Sequence, residues 1–135
     1  MKMIKSIPAL PVQHIEKAIH FYQTKMGFSV PYYNDGFAKL IRDEVEINLW
    51  ASSDDSWINR TELYTCPIIS GAESFLAGTA SCRIEVQDID QLYGEYRMQG
   101  VIYSPTTVVE EYPWGTKEFP SLDLHRNLLT FYERI

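Results

Sequence analysis

Reactive side chains are scarce in this chain. There are two cysteines, Cys66 and Cys82, with no Cys-x-x-Cys pair and no Cys/His cluster, which excludes zinc-finger and dithiol redox motifs. The histidines number three, His14, His20 and His125. No Gly-x-Ser-x-Gly elbow, phosphate-binding loop or Gly-x-Gly-x-x-Gly fingerprint occurs, so acyl, phosphoryl and dinucleotide chemistry have no local signature. No apolar run approaches the ~20 residues a membrane helix needs, and the opening MKMIKS is too short and interrupted for a signal peptide. Positive charge is in the minority: 12 Lys and Arg against 18 acids leave a net charge of −6 and a pI near 5.0. Such a surface repels phosphate backbones and attracts cations. Together these absences predict a cytoplasmic protein with two free thiols, in which the Asn59-Arg60-Thr61 sequon has no meaning.

What the chain does have is repetition. Its 135 residues amount to a single domain, 1–135, able to bury a real core. Val12-Gln13-His14-Ile15 recurs as Val86-Gln87-Asp88-Ile89, and a helical pattern follows each copy. Ile15, Ala18, Ile19, Tyr22 and Met26 share one face before Gly27 stops the run; Ile89, Leu92, Tyr93, Tyr96 and Met98 do nearly the same before Gly100. Asp88 is expected to cap the second helix, with Gln91 completing a capping box.

A short strand precedes each helix, at 6–12 and 80–86. Behind the first helix come strands at 29–34, 37–42 and 45–50; behind the second, 101–104, 117–122 and 127–132. The fold class is therefore α+β. Two tandem βαβββ modules, about 5–50 and 79–133, form a curved, cupped mixed sheet with helices on its outer face, and a loop at 51–78 joins them.

The segment Val12-Gln13-His14-Ile15-Glu16-Lys17-Ala18-Ile19-His20-Phe21-Tyr22, ending at Gly27-Phe28, resembles the opening motif of the vicinal-oxygen-chelate superfamily. That superfamily includes glyoxalase I, extradiol dioxygenases and the bleomycin resistance proteins. Finer marks resemble the resistance branch: the Pro-rich Ser6–Val12, Asp35-Gly36-Phe37-Ala38, Glu44–Trp50, Trp114-Gly115 with Glu118-Phe119, and above all Gly71–Val86. The resemblance covers almost the whole chain; Asn59–Ile69 and Thr106–Pro113 are least alike.

The superfamily's enzymes hold a divalent metal through His and Glu on four inner strands, and the resemblance places Ile7, Asn48, Ser81 and Thr130 there. Ile7 has no lone pair, and Asn, Ser and Thr are weak neutral donors. The three histidines are expected to be solvated, and Cys82 to lie in the core beside Ile84 and Val86. The resemblance thus implies a protein without metal or cofactor that sequesters bleomycin-type antibiotics and leaves them unmodified. The competing expectation is a metal-dependent enzyme of the same superfamily with its ligands elsewhere. A third keeps the groove and gives it a different aromatic ligand.

Strand parity puts Asn48, Trp50, Ser81, Arg83, Thr130 and Tyr132 on the face away from the core, where a large Trp makes a platform for a flat ligand. The resemblance adds Phe37 and Trp114-Gly115 as the residues that sandwich the drug's bithiazole, and Tyr32 as a wall of the same groove. Trp57, in the joining loop, either lines the groove or anchors the loop. Asp35, Glu46, Glu85, Glu110, Glu111 and Glu118 are expected to attract the drug's cationic tail. The family closes its groove with a second subunit, so a homodimer with an exchanged N-terminal strand is expected. Pro8 and Pro11 fit that role because each removes a ladder donor.

Overall fold

Alternating burial builds the sheets. On β3 (Phe37–Arg42) and β4 (Val45–Ala51), Ala38, Leu40, Ile47 and Leu49 are buried while Lys39, Asn48 and Trp50 turn the other way. These strands pair antiparallel across the tight turn at Asp43, from Phe37↔Trp50 to Arg42↔Val45. β1 (Ala9–Val12) runs parallel to β4, and β2 (Ser29–Tyr33) lies antiparallel on the free side of β3, so the order is β1-β4-β3-β2.

The second half repeats the plan. β5 (Ser81–Glu85), β6 (Glu110–Tyr112), β7 (Thr116–Leu122) and β8 (Leu128–Arg134) are ordered β5-β8-β7-β6, again with one parallel pairing. Helices α1 (Ile15–Lys25) and α2 (Ile89–Gln99) each follow the first strand of a sheet. The structure is a computed structural model that describes residues 1–52, 56–59, 61–62, 64–65, 72 and 75–135. Cys66, the side chain of Trp57 and much of the 51–78 loop lie outside the described residues.

Three local expectations are corrected. The first strand begins at Ala9, not Ser6; residues 1–8 form no strand, and Pro8 meets the sheet through its carbonyl, which accepts the Asn48 N–H at 3.0 Å. Residues 101–104 are not a strand. Ile102 makes a single bridge to Ser121, after which Pro105 offers no N–H and Thr107 folds back onto Ser104. The fourth strand is Glu110–Tyr112 instead. Asp88 does not cap α2 with its side chain: it sits at φ 61, and Glu133 from β8 accepts the N–H groups of Asp88 (2.9 Å) and Ile89 (3.1 Å). Those two bonds hold the Glu133 carboxyl below its ordinary range. Gly27 explains the Gly-Phe of the opening motif: its φ is +77, and a Cβ there would come within 2.7 Å of the Arg42 guanidinium.

One apolar cluster serves both halves, with Tyr22, Met26, Leu40 and Ile47 from the first and Tyr96, Phe119, Leu129 and Phe131 from the second. Met98, expected on the buried face of α2, is exposed. Polar bonds also cross the junction. Tyr22 donates to Asp123 (2.9 Å), Tyr96 to the Met26 carbonyl (2.8 Å), Asn127 to the Pro11 carbonyl (2.8 Å) and Arg42 to both oxygens of Glu95 (2.6 and 3.0 Å). His125 belongs to this junction and is not a solvated turn residue: its Nε2 accepts the backbone N–H of His14 at 3.3 Å, and burial pushes its pKa down. Cys82 is half-buried against the core, and burial raises its thiol to about 11, a structural rather than a reactive cysteine.

Candidate functional site

On the first sheet, the face away from the core carries an aromatic cluster. Phe37 and Trp50 are cross-strand partners whose rings meet edge-on at 4.8 Å, and Tyr32 from β2 adds a third ring 6.2 Å from Phe37. Tyr32 is exposed, and the other two are half-buried. Beside them Asn48 pairs with Lys39 across the ladder, and its Oδ1 is buried with no hydrogen-bond partner among the described residues. Glu46 closes this face, with Lys5 at 3.1 Å and Lys39 at 3.8 Å.

The second sheet is organised around Glu118. Strand parity aims this carboxylate away from the core, yet it is 6% exposed because four donors surround it. Arg83 binds it through both nitrogens (3.0 and 2.7 Å), Thr116 donates at 2.6 Å, and the indole N–H of Trp114 donates at 3.1 Å. Arg83 also lies over the Tyr132 ring at 4.7 Å. The Arg83 guanidinium, ahead of the Thr116 and Trp114 bonds, holds the Glu118 carboxyl down at about 2. Trp114 stands on the β6–β7 turn, where Gly115 takes φ +92 and its N–H closes back on the Tyr112 carbonyl at 3.0 Å. Tyr112 stacks on Trp114, with centroids 4.7 Å apart and planes within 11°.

The residues singled out by sequence thus form two groups in one chain. Tyr32, Phe37, Asn48 and Trp50 lie on the first sheet; Ser81, Arg83, Trp114 and Gly115 lie on the second, and no hydrogen bond, ion pair or ring contact joins them among the described residues. Tyr112, Thr116 and Lys39 were missed. Tyr112 could have been found, since Tyr112-Pro113-Trp114-Gly115 is a turn with aromatics two apart.

The expected acidic attraction is offset by ion pairing at three of the six acids, Glu46, Glu85 and Glu118. Glu118 is bound by Arg83, Glu85 by Arg134 (3.1 Å) and Glu46 by two lysines, while Glu110 accepts from the Tyr112 hydroxyl. A separate cleft of ≈ 810 Å³ between the β3–β4 turn and α2, lined by Arg42, Glu44, Gln87, Gln91 and Glu95, includes none of the ring residues of either group.

Comparison with known proteins supplies the lineage. The family model described as the Glyoxalase/Bleomycin resistance protein/Dioxygenase superfamily matches residues 6–131. The chain belongs to that superfamily. Two of its relatives, each a "Bleomycin resistance protein", come from Geobacillus stearothermophilus and Staphylococcus aureus (strain N315); each is 45% identical over 133 residues, covering 98% of both chains. Among solved structures, a bleomycin resistance determinant encoded on transposon Tn5 aligns with a TM-score of 0.72 at 18% identity, covering 98% of each chain. A bleomycin-binding protein from Streptomyces verticillus, complexed with copper(II)-bleomycin, aligns at 0.72 and 21%, covering 97% of this chain and 96% of that one. Both share the fold.

Enzymes of this superfamily use a metal, and the donor set here does not fit one. Ile7 precedes β1 and its side chain carries only carbon, the Asn48 oxygen is buried, and Ser81, two residues before Arg83 on β5, and Thr130, opposite Arg83 on β8, offer neutral hydroxyls. No group of three or more His, Cys, Asp or Glu able to hold a metal occurs among the described residues, and no described helix is long and apolar enough to cross a membrane.

Glu118 gives the second sheet a pH signature. Its folded pKa lies below the ordinary 4.5, so the stability it adds is fully present above pH 4.5 and is lost as pH falls toward 2. Glu118→Gln removes this acid limb. Its melting temperature is expected to be lower than wild type at pH 7 and to fall less between pH 4.5 and 2, measured by thermal denaturation.

Proposed function

We propose that this protein binds bleomycin-type antibiotics stoichiometrically, leaves them unmodified and confers resistance by sequestering them in the cytoplasm. The supporting observation is an aromatic cluster on one sheet and an exposed Trp on the other, in a chain 45% identical to bleomycin resistance proteins. Stacking suits a flat bithiazole, because π-face attraction depends on area rather than on fixed hydrogen bonds. No cofactor is required.

The two ring groups are separate within a chain, so the groove needs a second copy. In the homodimer, Tyr32, Phe37 and Trp50 of one subunit face Trp114 and Gly115 of the other, with Asn48, Ser81 and Arg83 as polar flanks. Residues 1–8 carry exposed Met3 and Ile4 and make no strand in their own sheet; they are the arm that exchanges. The chain reads as one domain in which modules of about 5–50 and 79–133 each supply half a site.

Titration with bleomycin should quench Trp fluorescence to a sharp end point, and mass spectrometry should return drug of unchanged mass. Sedimentation at micromolar concentration should give a dimer. A turnover product overturns the sequestration reading, and a monomer that binds at full affinity overturns the shared groove.

A further inference from the structure

An exposed aromatic side chain is ordinarily free to change rotamer, and ordering it on binding costs affinity. Trp114 is 64% exposed yet held on two sides. Tyr112 covers one indole face, 4.7 Å away and within 11° of parallel. The indole edge donates to Glu118 at 3.1 Å. Glu118 cannot follow a swinging indole, because Arg83 grips both its oxygens (3.0 and 2.7 Å) and Thr116 donates at 2.6 Å. The turn itself is fixed by the Gly115-to-Tyr112 bond at φ +92. The other indole face carries no ring partner among the described residues.

We propose that Tyr112 and Glu118 are positioning residues that present Trp114 as a preset wall with one open face, so that a ligand's flat ring adds a third layer to the Tyr112–Trp114 stack. Two consequences follow for what the site accepts. A single planar ring system fits, since the far face is already taken. The ring is selected by shape and π-surface rather than by charge, because the Glu118 carboxylate beside the indole is neutralised by Arg83. The cationic part of the ligand must be met elsewhere. This inference rests on the bleomycin-binding reading, so its test has one arm that needs no ligand.

Without ligand, the Trp114 indole N–H resonance is assigned by its loss in Trp114→Phe. In the wild type, ring protons of Tyr112 and Trp114 should show mutual nuclear Overhauser contacts. The Trp114 resonance should move in Tyr112→Leu and in Glu118→Gln and stay in place in Tyr112→Phe. With bleomycin, Tyr112→Leu should bind roughly two- to twelvefold more weakly, the worth of one aromatic pair, and Tyr112→Phe as wild type. Missing Overhauser contacts, an unmoved resonance in Tyr112→Leu or a Tyr112→Phe as weak as Tyr112→Leu each overturns the proposal. If wild type ignores bleomycin while the resonances behave as stated, the functional reading fails and the preset wall stands.

Discussion

Replacing Trp114 by alanine is expected to weaken bleomycin binding roughly thirtyfold or more while leaving the melting temperature almost unchanged. A desolvated Trp at the centre of a site costs about 2 kcal/mol or more on truncation, and each 1.4 kcal/mol is a factor of ten. The stability half follows from what Trp114 touches. Its ring packs on Tyr112 at the surface, and the bond it donates to Glu118 is one of four, so removing it leaves the carboxylate with Arg83 and Thr116. No buried group is orphaned. Ile84→Ala is the opposite case: Ile84 is buried on β5 against the core, and the cavity costs about 2–5 kcal/mol, with affinity retained by whatever folds. Isothermal titration paired with thermal melts separates the two. A Trp114→Ala protein that binds normally and melts early makes Trp114 a packing residue and moves the site.

How far these features were legible depends on the range of the interaction that decides each one. The two helices and most strands follow from local periodicity, because Ile15, Ala18, Ile19 and Tyr22 repeat at helical spacing and are buried. The strand Glu110–Tyr112 has no such signature: three residues, two of them acidic, are drawn into the sheet only by pairing with β7. The cap of α2 is also non-local. Asp88 has the composition of a cap, but its backbone is left-handed, and Glu133 supplies the carboxylate from the last strand.

The site divides in the same way. Phe37 and Trp50 were found by strand parity and resemblance. Glu118 was expected to attract a ligand's cation because nothing near it in sequence reveals Arg83, which reaches it across β8 from β5. That the two ring groups are apart in one chain follows from the division into two sheets, a feature that repeat order alone leaves open.

Asp123→Ala is expected to cost about 3–5 kcal/mol, a fall in melting temperature of roughly 10 °C or more, with bleomycin affinity kept in the folded fraction. Asp123 is 3% exposed in the β7–β8 turn and accepts four bonds. The backbone N–H groups of His125 and Asn127 reach Oδ1 at 2.9 Å each; the Asn127 amide reaches Oδ2 at 3.0 Å and the Tyr22 hydroxyl at 2.9 Å. Tyr22 comes from α1 of the other module and is wholly buried; burial first, and the Asp123 charge second, keep its hydroxyl protonated far above the ordinary range. Truncation strands these donors in the interior and loosens Asn127, whose amide also binds the Pro11 carbonyl and so ties the β7–β8 turn to β1. Tyr22→Phe removes one donor and leaves the carboxylate three, so it should cost only about 1–2 kcal/mol. Asp123→Asn keeps the shape and one acceptor oxygen and should fall between the two. The order Ala, Asn, then Tyr22→Phe in denaturant midpoints is the signature of a buried charge acting as the hub. An Asp123→Ala protein that melts within ~2 °C of wild type would show that the apolar cluster alone holds the modules together.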